Sequence, residues 1–376
     1  MLLRLSNTPR DYAWGSATLL AELEGREPTG GPEAEVWFGD HPGDPADLPD
    51  GSTLDAVTGG ELPYLLKLLA AGAPLSIQVH PTIAQAREGR HREEHLAADD
   101  PQRNYRDDNH KPELIVAVSD RFEALAGLRP IADTLRLLDA LGPSVGVARL
   151  RAVLTAGPDD AGALGDAVEW ALSTAAQSEI DDIIAAVTDA SSEEFAAEIS
   201  VVRGIADQNP ADRGIVVALL MNLVVLGRGQ GVFLRAGMLH AYVSGLGVEI
   251  MAASDNVLRG GLTPKHVDVP ELLAILDAEP GTVPVLFPAV AGLVTSYSVD
   301  VPDFSLRRLE LVGEPVTVPI HGPAMVLATA GAVAVAGEAT REEQSIGIGT
   351  AVFASTDEAG LTLRGTGEAF IAQPGR

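Results

Sequence analysis

Hydrophobic and polar positions along this chain change their period twice. Up to about residue 119 the apolar residues come in short runs punctuated by Gly and Pro, as in Asp11-Tyr-Ala-Trp-Gly15 and Glu35-Val-Trp-Phe-Gly-Asp-His-Pro42. That rhythm predicts short strands and turns. The stretch 65–71 reads as either a short helix or a strand. In Pro74-Leu-Ser-Ile-Gln-Val-His-Pro81, Leu75, Ile77 and Val79 alternate with Ser76, Gln78 and His80. A strand there would set the three polar side chains on one face, about 6.6 Å apart step to step. Residues 82–108 are dense in charge: a helical first half, then an exposed loop that is a candidate lid or a plain surface excursion. From about 120 to 208 the apolar spacing becomes three and four, at 134–141, 147–154, 164–175 and 179–187, which predicts helices. Ser191 and the acids after it read as a helix start. Asn209-Pro210 breaks the module, and 211–226 predicts one more buried helix. Beyond Gly227 the pattern returns to apolar strands between Gly turns, the cadence of antiparallel hairpins in a barrel or jelly roll.

Four places concentrate polar chemistry. Ser76/Gln78/His80 is the first. In Asn109-His-Lys-Pro-Glu113, Pro112 keeps the chain extended and Glu113 opens the apolar run 114–118, where a buried carboxylate needs a partner or a metal. His240 follows a Gly turn at the mouth of an expected hairpin. The stretch 247–266 gathers Glu249, Asp255, Asn256, Arg259 and Lys265 among Gly and Pro turn signals, a candidate site that a polar surface loop would fit about as well. Gln78, His80, Glu113 and His240 are nitrogen and oxygen donors of suitable hardness for a mononuclear zinc site, although their spacing alone does not establish one.

Composition narrows the function classes. There is no cysteine in the 376 residues, so disulfides, thiolate metal sites and thiol nucleophiles are excluded. The net charge of −27 repels nucleic acid and anionic membrane surfaces. An anionic substrate would need a local basic pocket against that field. Neither apolar run, 214–227 or 283–294, is long enough to span a bilayer, and no secretory leader is recognised; a cytoplasmic protein is expected. Only Lys67, Lys111 and Lys265 are lysines among 26 basic residues, and the last two fall inside the polar motifs.

The motifs Leu75-Ser-Ile-Gln-Val-His-Pro81, Asn109-His-Lys-Pro-Glu113, Leu239-His-Ala-Tyr242 and Ser254-Asp-Asn-Val-Leu-Arg-Gly-Gly-Leu-Thr-Pro-Lys265 together resemble the type I mannose-6-phosphate isomerases. The likeness extends to Ala13-Trp-Gly15, Glu35-Val-Trp37, His41-Pro42 and Phe122-Glu-Ala-Leu-Ala-Gly127, with local departures at Gly43-Asp44, Ala126 and Leu128. The resemblance implies a mainly β fold with an α-helical insertion: two cupin-type jelly-roll modules and a helical domain. Residues 1–119 with 211–293 would form the catalytic module, 120–210 the helical domain, and 294–376 a degenerate cupin-like module. It further implies one Zn2+ per chain on Gln78, His80, Glu113 and His240, an essential Arg259, and interconversion of D-mannose 6-phosphate and D-fructose 6-phosphate. For proton transfer between C2 and C1, His110, Lys111, Glu249, Asp255 and a zinc-bound water all stay open, with the His110/Lys111 and Asp255 neighbourhood preferred; Ser76, Glu249 and Lys265 are expected substrate contacts. A monomer acting on a small sugar phosphate is expected. Two other readings stay open: a different metal-dependent cupin such as an iron oxygenase, and a non-catalytic sugar-phosphate sensor.

Overall fold

Alternation along one strand sets the architecture. In Tyr64–Ala71 every residue is buried. Tyr64, Leu66, Leu68 and Ala70 enter one apolar core, while Leu69 and Ala71 enter another on the opposite face. A strand covered on both sides loses the polar face that usually marks it, which is why 65–71 is ambiguous in sequence. Lys67 takes the same parity as Leu69.

The computed structural model describes residues 1–282 and 285–376; the first two positions of the apolar run 283–294 lie outside the described residues. Among those described, two antiparallel sheets of ten and nine strands carry the fold. The first contains Glu35–Phe38, Tyr64–Ala71, Gln78–Val79, Glu113–Ala117, Phe122–Leu128, Met221–Leu226, Gly231–Leu234, His240–Ala252, Leu258–Arg259 and Val285–Leu286. The second is dominated by the long pair Ala324–Gly337 and Gly360–Gln373. Leu66, Leu114, Val116, Val248 and Ile250 of the first sheet meet Leu306, Met325, Phe353 and Phe370 of the second in a shared core. The expectation of a mainly β, cupin-type protein with a helical insertion holds. Helices at Ile131–Leu141, Val145–Leu154, Asp160–Leu172, Gln177–Asp189 and Ala196–Gln208 fill the insertion, and their apolar faces form one core with Ile77, Val79, Leu239 and Leu258 beneath the polar motifs.

Several local expectations change. The long helix expected over 211–226 stops after Gly214–Leu220, and Met221–Leu226 pairs with Phe122–Leu128 instead. Asn222 favours the switch: four carbonyls, of Ala126, Gly127, Leu128 and Gly281, lie within 3.0 to 3.3 Å of its Nδ2 and give its two N–H groups partners that a continuing helix would forfeit. Ser192, rather than Ser191, accepts the amide of Phe195 ahead of the helix Ala196–Gln208. The Ser76–His80 strand shrinks to Gln78–Val79. Two segments cross the expected module boundaries. Leu2–Leu5 pairs with Ala351–Ala354, and Ala289–Ala291 with Val294–Tyr297, both in the second sheet. Leu2 and Leu5 account for the first case, since each fills a core that this sheet helps to build.

The charged stretch 82–108 is tied down. Thr82 and Gln85 form a reciprocal capping box on the helix Ile83–Arg92. Glu93 accepts the amides of Asn104 and Tyr105, and the fully buried Tyr105 donates its hydroxyl to Glu271.

Candidate metal centre and the cavity around it

Strand parity gathers the charged groups. Leu114 and Val116 point into the core between the sheets, so Glu113 points the other way. Val248 and Ile250 do the same on the next strand, so Glu249 also turns inward. On His240–Ala252 the inward residues change from even numbers (His240, Tyr242) to odd (Glu249). The change falls at a bulge against Phe122–Leu128, where Ala124 faces Tyr242 and Glu123 faces Ser244, so Val243 is the extra residue that resets the parity. Glu249 therefore belongs to a buried strand, which settles against the surface-loop alternative for this part of 247–266.

His80, Glu113 and His240 are all buried and converge to within 4.8 Å of one another. His80 Nδ1 lies 2.7 Å from the Asn256 carbonyl and His240 Nδ1 lies 3.0 Å from the Met238 carbonyl. A carbonyl only accepts, so each Nδ1 carries the proton and each Nε2 presents a lone pair. Those lone pairs face the Glu113 carboxylate at 3.2 and 3.3 Å. His80 Nε2 is buried with no hydrogen-bond partner. Burial pushes the His80 imidazole down to about 4, so it stays neutral at neutral pH. Two lone pairs aimed at a carboxylate with no proton between them is the arrangement a cation resolves. Gln78 sits opposite His240 in one strand pair and opposite Arg259 in another. Its Nε2 donates to Ser76 Oγ at 3.2 Å, and its side chain lines the same cavity as Glu113 and His240. The donor set of two imidazoles and a carboxylate fits zinc.

Beside this cluster a small polar cavity is lined by Ser76, Gln78, Lys111, Glu113, His240, Lys67, Glu35, Tyr242 and Glu249. Lys111 is buried, with Nζ 3.0 Å from Glu113. Burial opposes the ionised form of Glu113, yet the adjacent Lys111 ammonium holds its pKa well below the usual carboxylate range. Lys67 bridges Glu249 at 3.2 Å and Glu35 at 3.5 Å. Burial alone would lower the Lys67 pKa, but Glu35, Glu249 and Glu113 raise it above its ordinary value. Glu249 accepts the Tyr242 hydroxyl at 2.8 Å, and burial raises its pKa despite Lys67. Lys67, Glu35 and Tyr242 are absent from the sequence expectation. The available signal was Lys67 itself, the one lysine outside the motifs, set in an otherwise apolar strand.

The remaining candidates separate. Arg259 is half-buried and, among the described residues, makes no ion pair or hydrogen bond through its guanidinium. Burial, then the nearby Arg106, lowers its pKa. Lys265 is exposed, and its pKa is lowered by partial burial, then Arg259 and Arg106, so the three cations share one rim. His110 and Asp255 do not line the cavity. His110 Nε2 lies 2.7 Å from Asp303, and Asp255 pairs with His41 at 3.3 Å.

Comparison with known proteins decides the family. The family description "Phosphomannose isomerase type I, catalytic domain" matches residues 2–131. Mannose-6-phosphate isomerase from Escherichia coli K12 is 34% identical, over 97% of this chain and 97% of that protein. This chain belongs to the mannose-6-phosphate isomerase family. The family likeness reaches the bovine enzyme, 30% identical over 82% of each chain. Among solved structures, a zinc-bound mannose 6-phosphate isomerase superposes with a TM-score of 0.88 at 31% identity, covering 100% of both chains. A histidine-to-alanine variant of phosphomannose isomerase from Salmonella typhimurium gives 0.89 at the same identity and coverage.

Proposed function

We propose that this chain is a zinc-dependent aldose–ketose isomerase that interconverts D-mannose 6-phosphate and D-fructose 6-phosphate through an enediolate. The observation that carries the reading is the convergence of two imidazole lone pairs on the Glu113 carboxylate, beside a cavity lined by buried, ionisable groups. Gln78, His80, Glu113 and His240 would hold the ion. When bound, zinc supplies Lewis-acid polarisation of the sugar oxygens. Glu249 is the proton carrier: burial raises its pKa above the usual carboxylate range, and Tyr242 and Lys67 fix its two oxygens. It takes the proton from one carbon and returns it to the neighbour. The Lys111 ammonium and the Arg259 guanidinium meet the charge that develops on oxygen. Lys265 and Arg106, with Ser76, receive the phosphate, a basic rim on an acidic protein. Glu249 lines the cavity, whereas His110 and Asp255 lie outside it, paired with Asp303 and His41, so the proton transfer is not assigned to them.

This arrangement favours isomerisation over iron oxygenase chemistry, which needs open, redox-suited coordination rather than a ring of cations. No described helix is long and apolar enough to cross a membrane. A sugar phosphate stays on the side of the bilayer where it is made, which supports a cytoplasmic setting. We carry forward a monomer and the three-part organisation (1–119 with 211–293, 120–210, 294–376) as part of the same proposal, with the two crossing strands noted above. The test is a coupled assay on the purified protein. Mannose 6-phosphate should yield fructose 6-phosphate and the reverse, and absence of conversion by zinc-loaded protein overturns the reading.

A further inference from the structure

Asn256 is fully buried and makes more polar contacts than any group in the cavity. Its backbone carbonyl accepts the Nδ1 proton of His80 at 2.7 Å. Its side-chain Oδ1 accepts the amides of Arg106 at 2.7 Å and Asp107 at 3.2 Å. Its Nδ2 donates to the carbonyls of Asp107 and Asn109 at 2.9 and 2.8 Å, and to Asp107 Oδ1 at 3.1 Å. Every donor and acceptor of the carboxamide is used. The Asp107 carboxylate then takes the Ser254 hydroxyl at 2.8 Å and the Asp255 amide at 2.7 Å. Two segments distant in sequence are stitched through one side chain. One carries Arg106 and Lys111; the other carries Arg259 and the carbonyl that orients His80.

We infer that Asn256 is a positioning residue that couples the orientation of the metal ligand His80 to the placement of the substrate-binding cations Arg106 and Lys111. The inference rests on the isomerase reading for its substrate half. Its metal half stands on the hydrogen bond to His80 alone. No other residue type fits the position. Aspartate lacks the two donors and adds a charge beside Asp107. Leucine strands four backbone groups. Glutamine moves the carboxamide one carbon further out. The backbone bond to His80 survives any of these changes, but the loop bearing it loses its fixed position.

Two readouts test this. In Asn256→Ala, Co2+ added to metal-free protein should bind about tenfold or more weaker than in wild type, with an altered visible absorption spectrum. The KM for fructose 6-phosphate should rise at least about tenfold while kcat falls less. The pair Asn256→Asp and Asp107→Asn provides the rescue: each single variant is impaired, and the double variant recovers part of the loss because a donor again faces an acceptor. Where Asn256→Ala fails to fold, the pair decides. Recovery in the double variant supports the coupling, and simple addition of the two losses overturns it. Wild-type KM together with an unchanged Co2+ spectrum in Asn256→Ala also overturns it. If the Co2+ spectrum shifts as expected but wild-type protein converts no sugar phosphate, the isomerase reading fails while the positioning role stands.

Discussion

Replacing Lys67 by methionine removes one ammonium and keeps most of the side chain's apolar stem. In the native protein that ammonium is 7% exposed and lies between Glu249, 3% exposed, and Glu35, 8% exposed. Its loss leaves two buried carboxylates sharing a cavity that also holds Glu113. Tyr242 still donates to Glu249, and the Trp37 indole N–H still donates to Glu35 at 2.8 Å, so the hydrogen bonds persist and the uncompensated charge dominates. Removing one partner of a buried pair costs about 3–5 kcal/mol. The pH dependence follows from the direction in which Glu249 is shifted. Its folded-state pKa is already raised by burial, and losing Lys67 raises it further. A carboxylate whose folded pKa is raised destabilises the protein above that pKa and is relieved as pH falls through it. Urea unfolding of metal-free Lys67→Met at pH 7 should therefore show a loss of about 3–5 kcal/mol that shrinks as the pH is lowered toward 5. A loss below about 1 kcal/mol at pH 7, or one that does not change with pH, refutes the picture of a charge-balanced cavity.

Tyr242→Phe removes the hydroxyl that stabilises ionised Glu249, so the acid limb of the pH profile of kcat/KM should move to higher pH, and an unmoved limb would take the proton-carrier role away from Glu249. Arg259→Ala should cut kcat by about 100-fold or more while zinc content by atomic absorption stays at the wild-type level; unchanged turnover removes Arg259 from the mechanism. Gly89→Ala would place a Cβ 2.2 Å from the Tyr105 ring. It should cost about 1–3 kcal/mol and speed proteolysis within 93–107, and wild-type protease resistance would contradict the tethering of that segment.

Much of the organisation was legible because period reports burial. The helical insertion showed its spacing of three and four, and the C-terminal hairpins their Gly turns. Legibility ended where local signals tie. The run 214–226 is apolar almost throughout and carries no period to separate helix from strand, and the deciding partners of Asn222 sit on segments around residues 126–128 and 281. The candidate site was read mainly through motif resemblance, since Gln78, His80, Glu113 and His240 have no diagnostic spacing. Glu249 fits a site strand and a surface loop about equally in sequence, because the bulge at Val243 that resets the strand's parity is fixed by its pairing with Glu123 and Ala124. His110 and Asp255 looked available because their partners, Asp303 and His41, lie far away in sequence.

The measurement closest to the central claim is zinc content paired with isomerase activity, taken on the purified protein, after chelator treatment, after zinc is restored, and in His240→Ala and Glu113→Ala. The account predicts about one zinc per chain, activity lost with the metal and regained with it, and depleted zinc in both variants. Full activity in the metal-free protein, or full zinc occupancy in both variants, would contradict it.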